Sequence, residues 1–90
     1  MAWTIILSEA ARKSLRKLDR QVAARILSFL EDRLAALEDP RSIGEALVGP
    51  RLGDHWKYRV GDHRIIATIR DRTVTIIVVR IGHRSDIYRR

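Results

Sequence analysis

The stretch W-K-Y-R-V-G-D-H-R-I, residues 56–65, decides how the second half of this 90-residue chain folds. Gly61-Asp62 fits a two-residue hairpin turn of the Gly-X kind, which pairs Val60 with His63, Arg59 with Arg64, Tyr58 with Ile65 and Lys57 with Ile66. Strand alternation then sends Trp56, Tyr58, Val60 and Ile65 to one face, and Lys57, Arg59 and Arg64 to the other. Like charges directly opposite across strands cost roughly 0.2 to 1 kcal/mol. Stability alone does not ask for three cations there. A phosphate site does, because Arg offers a forked set of donors and Lys a compact charge.

Beyond this hairpin, Asp71-Arg72 marks the next turn. Read as a two-residue turn, it gives Ile65, Ala67, Ile69, Val74, Ile76 and Val78 one wholly apolar face. Arg64, Thr68, Arg70, Thr73 and Thr75 share the mixed one. The apolar face is the one that needs covering, which leaves the basic cluster on the open side. The chain then reads G-H-R-S-D-I-Y-R-R. Gly82 breaks the strand, so His83, Arg84 and Tyr88 fall near its end, within reach of the open face. A tyrosine there brings an aromatic plane for stacking on a base and a hydroxyl able to exchange a proton.

The first half supplies the cover. Residues 3–7 are short, apolar and β-prone, and Ser8 is a good N-cap, with Glu9 favourable in the first turn. Ala11, Leu15 and Leu18 recur at helical spacing, with Arg12, Lys13, Arg16 and Lys17 elsewhere around the helix. Asp19 caps a second helix. There Val22, Ile26, Phe29, Leu30, Leu34 and Leu37 keep the period until Asp39-Pro40, where proline stops it. With almost no connector at Leu18-Asp19, the two helices form an antiparallel hairpin facing a common sheet. The Gly- and Pro-punctuated connector 41–55 is long for a structureless loop, so Ile43, Ala46 and Leu47 are expected to dock on the core. The fold class is α+β: an N-terminal strand and a helical hairpin packed on one face of a small, mainly antiparallel sheet. One domain spans residues 1–90.

The net charge of +7 is unevenly distributed. Residues 1–50 hold 8 Lys/Arg against 7 Asp/Glu, and residues 51–90 hold 10 against 4. The positive field therefore belongs to the second half and suits a polyanion, either nucleic acid or an acidic protein segment. Zero cysteines exclude a disulfide framework, a thiol nucleophile and a thiolate metal site, and fit a reducing cytoplasm. The N-terminus has no basic n-region of a signal peptide, and the longest apolar run, at 75–79, is too short to cross a bilayer. His55, His63 and His83 lack the carboxylate and thiol company of a zinc centre. P-loop, dinucleotide and hydrolase motifs are missing. Chemistry without metal or cofactor is the expectation.

L-R-K-L-D at 15–19, D-P-R at 39–41, W-K-Y-R-V-G-D-H-R-I-I at 56–66 and G-H-R-S-D-I-Y at 82–88 follow one another along the chain. In this order they resemble the RelE/ParE superfamily of type II toxin-antitoxin toxins, over nearly the whole length. The resemblance implies a RelE-like fold and a microbial cytoplasmic toxin held inactive by a small antitoxin. That partner would be acidic or amphipathic and fold on binding to the basic half. RelE-like members are ribosome-dependent endoribonucleases that cut mRNA, whereas ParE-like members inhibit DNA gyrase. On the ribonuclease pattern, Lys57 and Arg59 match two basic positions on one strand, Arg64 the arginine of the next strand, Tyr88 the C-terminal tyrosine and Arg84 the remaining basic position. His83 joins these five in contacting RNA and is a further candidate for proton transfer. Arg59 stands where the best-matching ribonucleases carry lysine. An arginine holds phosphate but cannot serve as a base. For attack by the RNA 2′-hydroxyl on its own phosphodiester, Tyr88 and Lys57 are the candidates to take the 2′ proton, with His83 as the outside one.

Overall fold

The computed structural model describes residues 2–47 and 55–85. Strand β1 (Thr4–Leu7) leads into helices α1 (Glu9–Lys17) and α2 (Arg20–Ser28), and a π-helical turn, Phe29–Leu34, continues α2. A 3₁₀ turn, Pro40–Ser42, precedes the two-residue strand β2 (Glu45–Ala46). Strands β3 (His55–Val60), β4 (His63–Arg70) and β5 (Thr75–His83) complete a five-stranded sheet in the order β1-β5-β4-β3-β2. Only β1 and β5 run parallel; the other neighbours are antiparallel. The expected α+β arrangement is the one observed.

Both helix starts follow from their caps. The Ser8 hydroxyl accepts from the Ala11 amide at 3.1 Å, and the Asp19 carboxylate from that of Gln21 at 3.1 Å. From α1, Ala11 is fully buried; from the second helical segment, Ile26, Leu30 and Leu34 are. They meet Tyr58, Val60, Ile65, Ala67, Ile76 and Val78 in one core. The second helix ends earlier than its apolar period suggests. Ala35 donates to the Leu30 carbonyl five residues back, and the Ala35 carbonyl then accepts from the Trp3 amide at 2.8 Å. The Trp3 indole donates to the Glu38 carbonyl at 3.3 Å. The entry into β1, rather than Pro40, therefore takes up the carbonyls left at this helix end.

The β3–β4 register is the one the Gly61-Asp62 turn requires: Val60 opposite His63, Arg59 opposite Arg64, Tyr58 opposite Ile65 and Lys57 opposite Ile66. Gly61 adopts φ +61°, which glycine reaches at no steric cost. The next turn differs. Arg70 pairs with Thr75 rather than Thr73, so the connection is the four residues 71–74, with Val74 at φ +50°. A shift of two residues preserves parity, and Ile69 still faces inward opposite Ile76.

A bulge on β5 matters more. Ile66 pairs with Arg80 and Ala67 with Val78, leaving Val79 as the extra residue. Strict alternation from Val78 would turn Arg80 into the core and Ile81 out. With the bulge, Ile81 is buried at 3% exposure and Arg80 stands on the face away from the helices. Ser8 holds the irregularity in place, its hydroxyl donating to the Val79 carbonyl at 2.7 Å.

The 41–55 connector docks in part. Ile43 packs against the core and its carbonyl accepts from the Trp56 indole at 2.8 Å. Ala46 is exposed, contrary to the expectation from sequence, because it enters β2, whose two residues both face solvent. Arg41 grips Asp71 through two hydrogen bonds, at 3.1 and 2.7 Å, which hold the Asp71 carboxyl below the usual carboxylate range.

Candidate nucleic-acid interface

Alternation along β3 and β4 brings Lys57, Arg59 and Arg64 to the sheet face away from the helices. Arg59 and Arg64 are directly opposite, yet their side chains part. Arg64 bends along its own hairpin, donating through Nη1 to the carbonyls of Gly61 at 3.2 Å and His63 at 3.1 Å. Arg59 and Lys57 turn the other way, to a residue the sequence reading did not single out. The Glu45 carboxylate lies 3.3 Å from Lys57 Nζ and 3.8 Å from Arg59 Nη2. It relieves much of the like-charge cost first assigned to this cluster, so repulsion by itself is no argument for a phosphate site. What remains is the placement of the cations.

Glu45 is delivered there by its neighbours. Gly44 adopts φ +85°, and a Cβ at that position would stand 2.6 Å from the Lys57 carbonyl. Only glycine lets the chain pass so close to β3 and turn the next side chain over Lys57. Register then sets Glu45 opposite Lys57. Nothing in a two-residue strand inside a loop-like connector shows alternation, so no sequence signal marked it.

The bulge adds Arg80 to the same face. Ile66 lies between Lys57 on β3 and Arg80 on β5 and is buried to 4% exposure although it points away from the helices. Register sets the long side chains of Lys57 and Arg80 on either side of this isoleucine, where aliphatic stems can shield it. The signal in the sequence was the phase break V-V-R-I, where an apolar period of two meets a cation at an inward position.

His83 and Arg84 separate. His83 pairs with His63, itself opposite Val60, so both imidazoles lie on the helix side of the sheet rather than with Lys57, Arg59 and Arg64. Their rings meet edge to face with centroids 5.6 Å apart. The Ser85 amide donates to His83 Nδ1 at 3.2 Å, tying that ring to its own strand end. The sequence places His83 within reach of the open face; the register sets it on the opposite one. The Arg84 amide donates to the Asp62 carbonyl at 2.8 Å, which holds Arg84 beside the hairpin turn. Tyr88 lies outside the described residues.

Tyr58, by contrast, is structural. It is 1% exposed, its hydroxyl donates to the Pro40 carbonyl at 2.7 Å, and its ring tilts against Phe29 with centroids 6.0 Å apart. Burial pushes its hydroxyl well above the ordinary tyrosine value. Among the described residues no three His, Asp or Glu side chains converge in a way that would hold a metal ion. The arrangement offers fixed cations to an anion.

The fold is one shared with toxins of the type II toxin-antitoxin class. The family model described as "ParE toxin of type II toxin-antitoxin system, parDE" matches residues 5–88, and the chain belongs to the RelE/ParE superfamily. It is 31% identical over 90 residues, all of both chains, to Toxin RelG of Mycobacterium tuberculosis. It also superposes on the RelBE2 toxin-antitoxin complex of Mycobacterium tuberculosis, with TM-score 0.84 and 27% identity, covering 96% of this chain and 95% of that one. The archaeal RelE-RelB complex of Pyrococcus horikoshii gives TM-score 0.72 at 25% identity, covering 96% and 99%. The isolated RelE toxin of E. coli gives 0.70 at 21%, covering 91% and 84%, a likeness of fold alone.

Proposed function

We propose that this toxin is a ribosome-dependent mRNA endoribonuclease neutralised by a cognate antitoxin in the cytoplasm. The observation that carries the proposal is the row of Lys57, Arg59 and Arg64 on one sheet face, with Arg84 beside its turn. In the reaction, the RNA 2′-oxygen attacks the adjacent phosphorus and its proton passes to a base. The bond from phosphorus to the 5′-oxygen breaks and that oxygen takes up a proton, leaving a 2′,3′-cyclic phosphate and a free 5′-hydroxyl. Charge builds on the phosphorane oxygens, where fixed cations contribute most. Arg59, Arg64 and Arg84 have this role. Lys57 is already engaged with Glu45 and supports it as a point charge. Tyr88 is the candidate base. So small a protein has little surface with which to orient a flexible message, and the ribosome would supply that positioning.

The solved RelBE2 and RelE-RelB complexes of relatives support an antitoxin partner. The match to the ParE family model favours a second reading, a gyrase-directed toxin without ribonuclease activity. Purified toxin added to programmed ribosomes carrying labelled mRNA, and separately to gyrase supercoiling reactions, distinguishes them. Message cut only on ribosomes, by wild type and not by Arg64→Ala, supports the ribonuclease; inhibited supercoiling with intact message supports the rival.

A further inference from the structure

The cations of the sheet face continue around its edge. Strand β2 pairs with Trp56 and Lys57, and among the described residues β3 has no strand neighbour on that side from Tyr58 to Val60. Two clefts of about 450 and 480 Å³ open along this edge and share Phe29, Arg33 and Arg59. Arg25, Phe29 and Arg33 recur every four residues along α2 and its π-helical continuation, so one stripe of the helical segment faces the edge of β3. Arg25 reaches the hairpin tip: its Nη1 lies 3.4 Å from where a Cβ on Gly61 would stand.

The charges of these clefts are unequal. Arg25 and Arg33 are exposed and make no ion pair with a carboxylate among the described residues. Of the two acids present, Glu45 is held by Lys57 and Arg59, and Asp32 accepts from the Ser28 hydroxyl at 2.9 Å. Two unpaired guanidinium groups flank a half-buried phenyl ring, and Arg59 links them to the sheet face. Cations that track a backbone, interleaved with an aromatic surface, are how proteins hold single-stranded nucleic acid without reading its sequence.

We propose that this edge is a second RNA site, in which Arg25, Arg33 and Arg59 hold phosphates of the strand that continues from the Lys57, Arg59 and Arg64 face. The proposal extends the RNA reading above and rests on it, but it concerns binding, not cleavage. The test uses the whole protein, a fluorescent homopolymeric single-stranded RNA and anisotropy titrations over a range of salt. Each phosphate contact on a single strand contributes about 0.7 to the slope of log affinity against log salt. The double variant Arg25→Gln/Arg33→Gln should therefore lower the slope by about 1.4, with an unchanged urea midpoint because both side chains are exposed. An unchanged slope overturns the proposal. So does a variant that loses labelled polyglutamate but not RNA, which assigns the edge to an acidic protein segment. Arg64→Ala, measured alongside, separates the two levels: a slope that falls for Arg64→Ala alone removes only the edge site, and wild type without salt-dependent RNA binding removes the RNA reading itself.

Discussion

Replacing Glu45 by glutamine should tighten RNA binding. In the free protein the Glu45 carboxylate lies against Lys57 and Arg59, at 3.3 and 3.8 Å, where a phosphate would be held. A phosphate on those two cations would stand about as far from Glu45 as the cations do. Two unit charges about 4 Å apart interact by about 1 kcal/mol in water and by about 4 kcal/mol at an effective dielectric of about 20. Glu45 is 58% exposed, so the water-like end applies. About 1 kcal/mol is roughly fivefold in affinity. The gain should be largest at low ionic strength and shrink as salt screens the repulsion. Loss of the exposed pair to Arg59 and of the pair to the largely buried Lys57 should lower stability by about 1 kcal/mol. RNA anisotropy with a parallel urea melt reads both quantities. Unchanged or weaker binding by a folded Glu45→Gln protein would refute the view that phosphate and Glu45 compete for the same cations.

Three further outcomes test the scaffold that positions this face. Ser8→Ala removes an α1 cap worth about 1 kcal/mol and the bond to the bulge carbonyl worth about as much, so the stability read by urea unfolding should fall by roughly 2 kcal/mol; Ser8→Thr should recover most of it. Gly44→Ala forces a Cβ to within 2.6 Å of the Lys57 carbonyl at φ +85°, and thermal unfolding should report a loss of about 1–3 kcal/mol. Tyr58→Phe leaves the buried Pro40 carbonyl without its donor, at about 1–2 kcal/mol, and should also remove an alkaline limb. Because burial raises the Tyr58 hydroxyl in the folded state, its contribution is complete below the unfolded value of about 10 and is lost as pH rises beyond it. Urea midpoints taken across that range should fall more steeply for wild type than for the variant.

What could be read from the residues was what local chemistry determines. Ser8 and Asp19 announce their helices because a side-chain oxygen satisfies an orphan amide, and Gly61-Asp62 determines a register because a two-residue turn leaves no slack. The 71–74 connection was misjudged because Asp71-Arg72 carries no glycine to mark where the chain turns. Val74 takes the positive φ instead, a conformation its sequence does not advertise. The bulge at Val79 depends on Ser8, 71 residues away, and the early end of the second helix depends on Trp3. The same distance hid half of the candidate site. Lys57, Arg59 and Arg64 were legible from alternation. Arg80 needed the bulge, Glu45 needed Gly44 packed on β3, and the place of His83 on the helix side follows from a register that counts the extra residue.

Mapping new mRNA 5′ ends after brief induction of wild type and Arg64→Ala, with and without a block on translation, tests the central claim most directly. Cuts inside translated codons that disappear with the block and with the variant are the predicted result. Growth arrest with intact mRNA and DNA damage would contradict it and assign the toxin to gyrase.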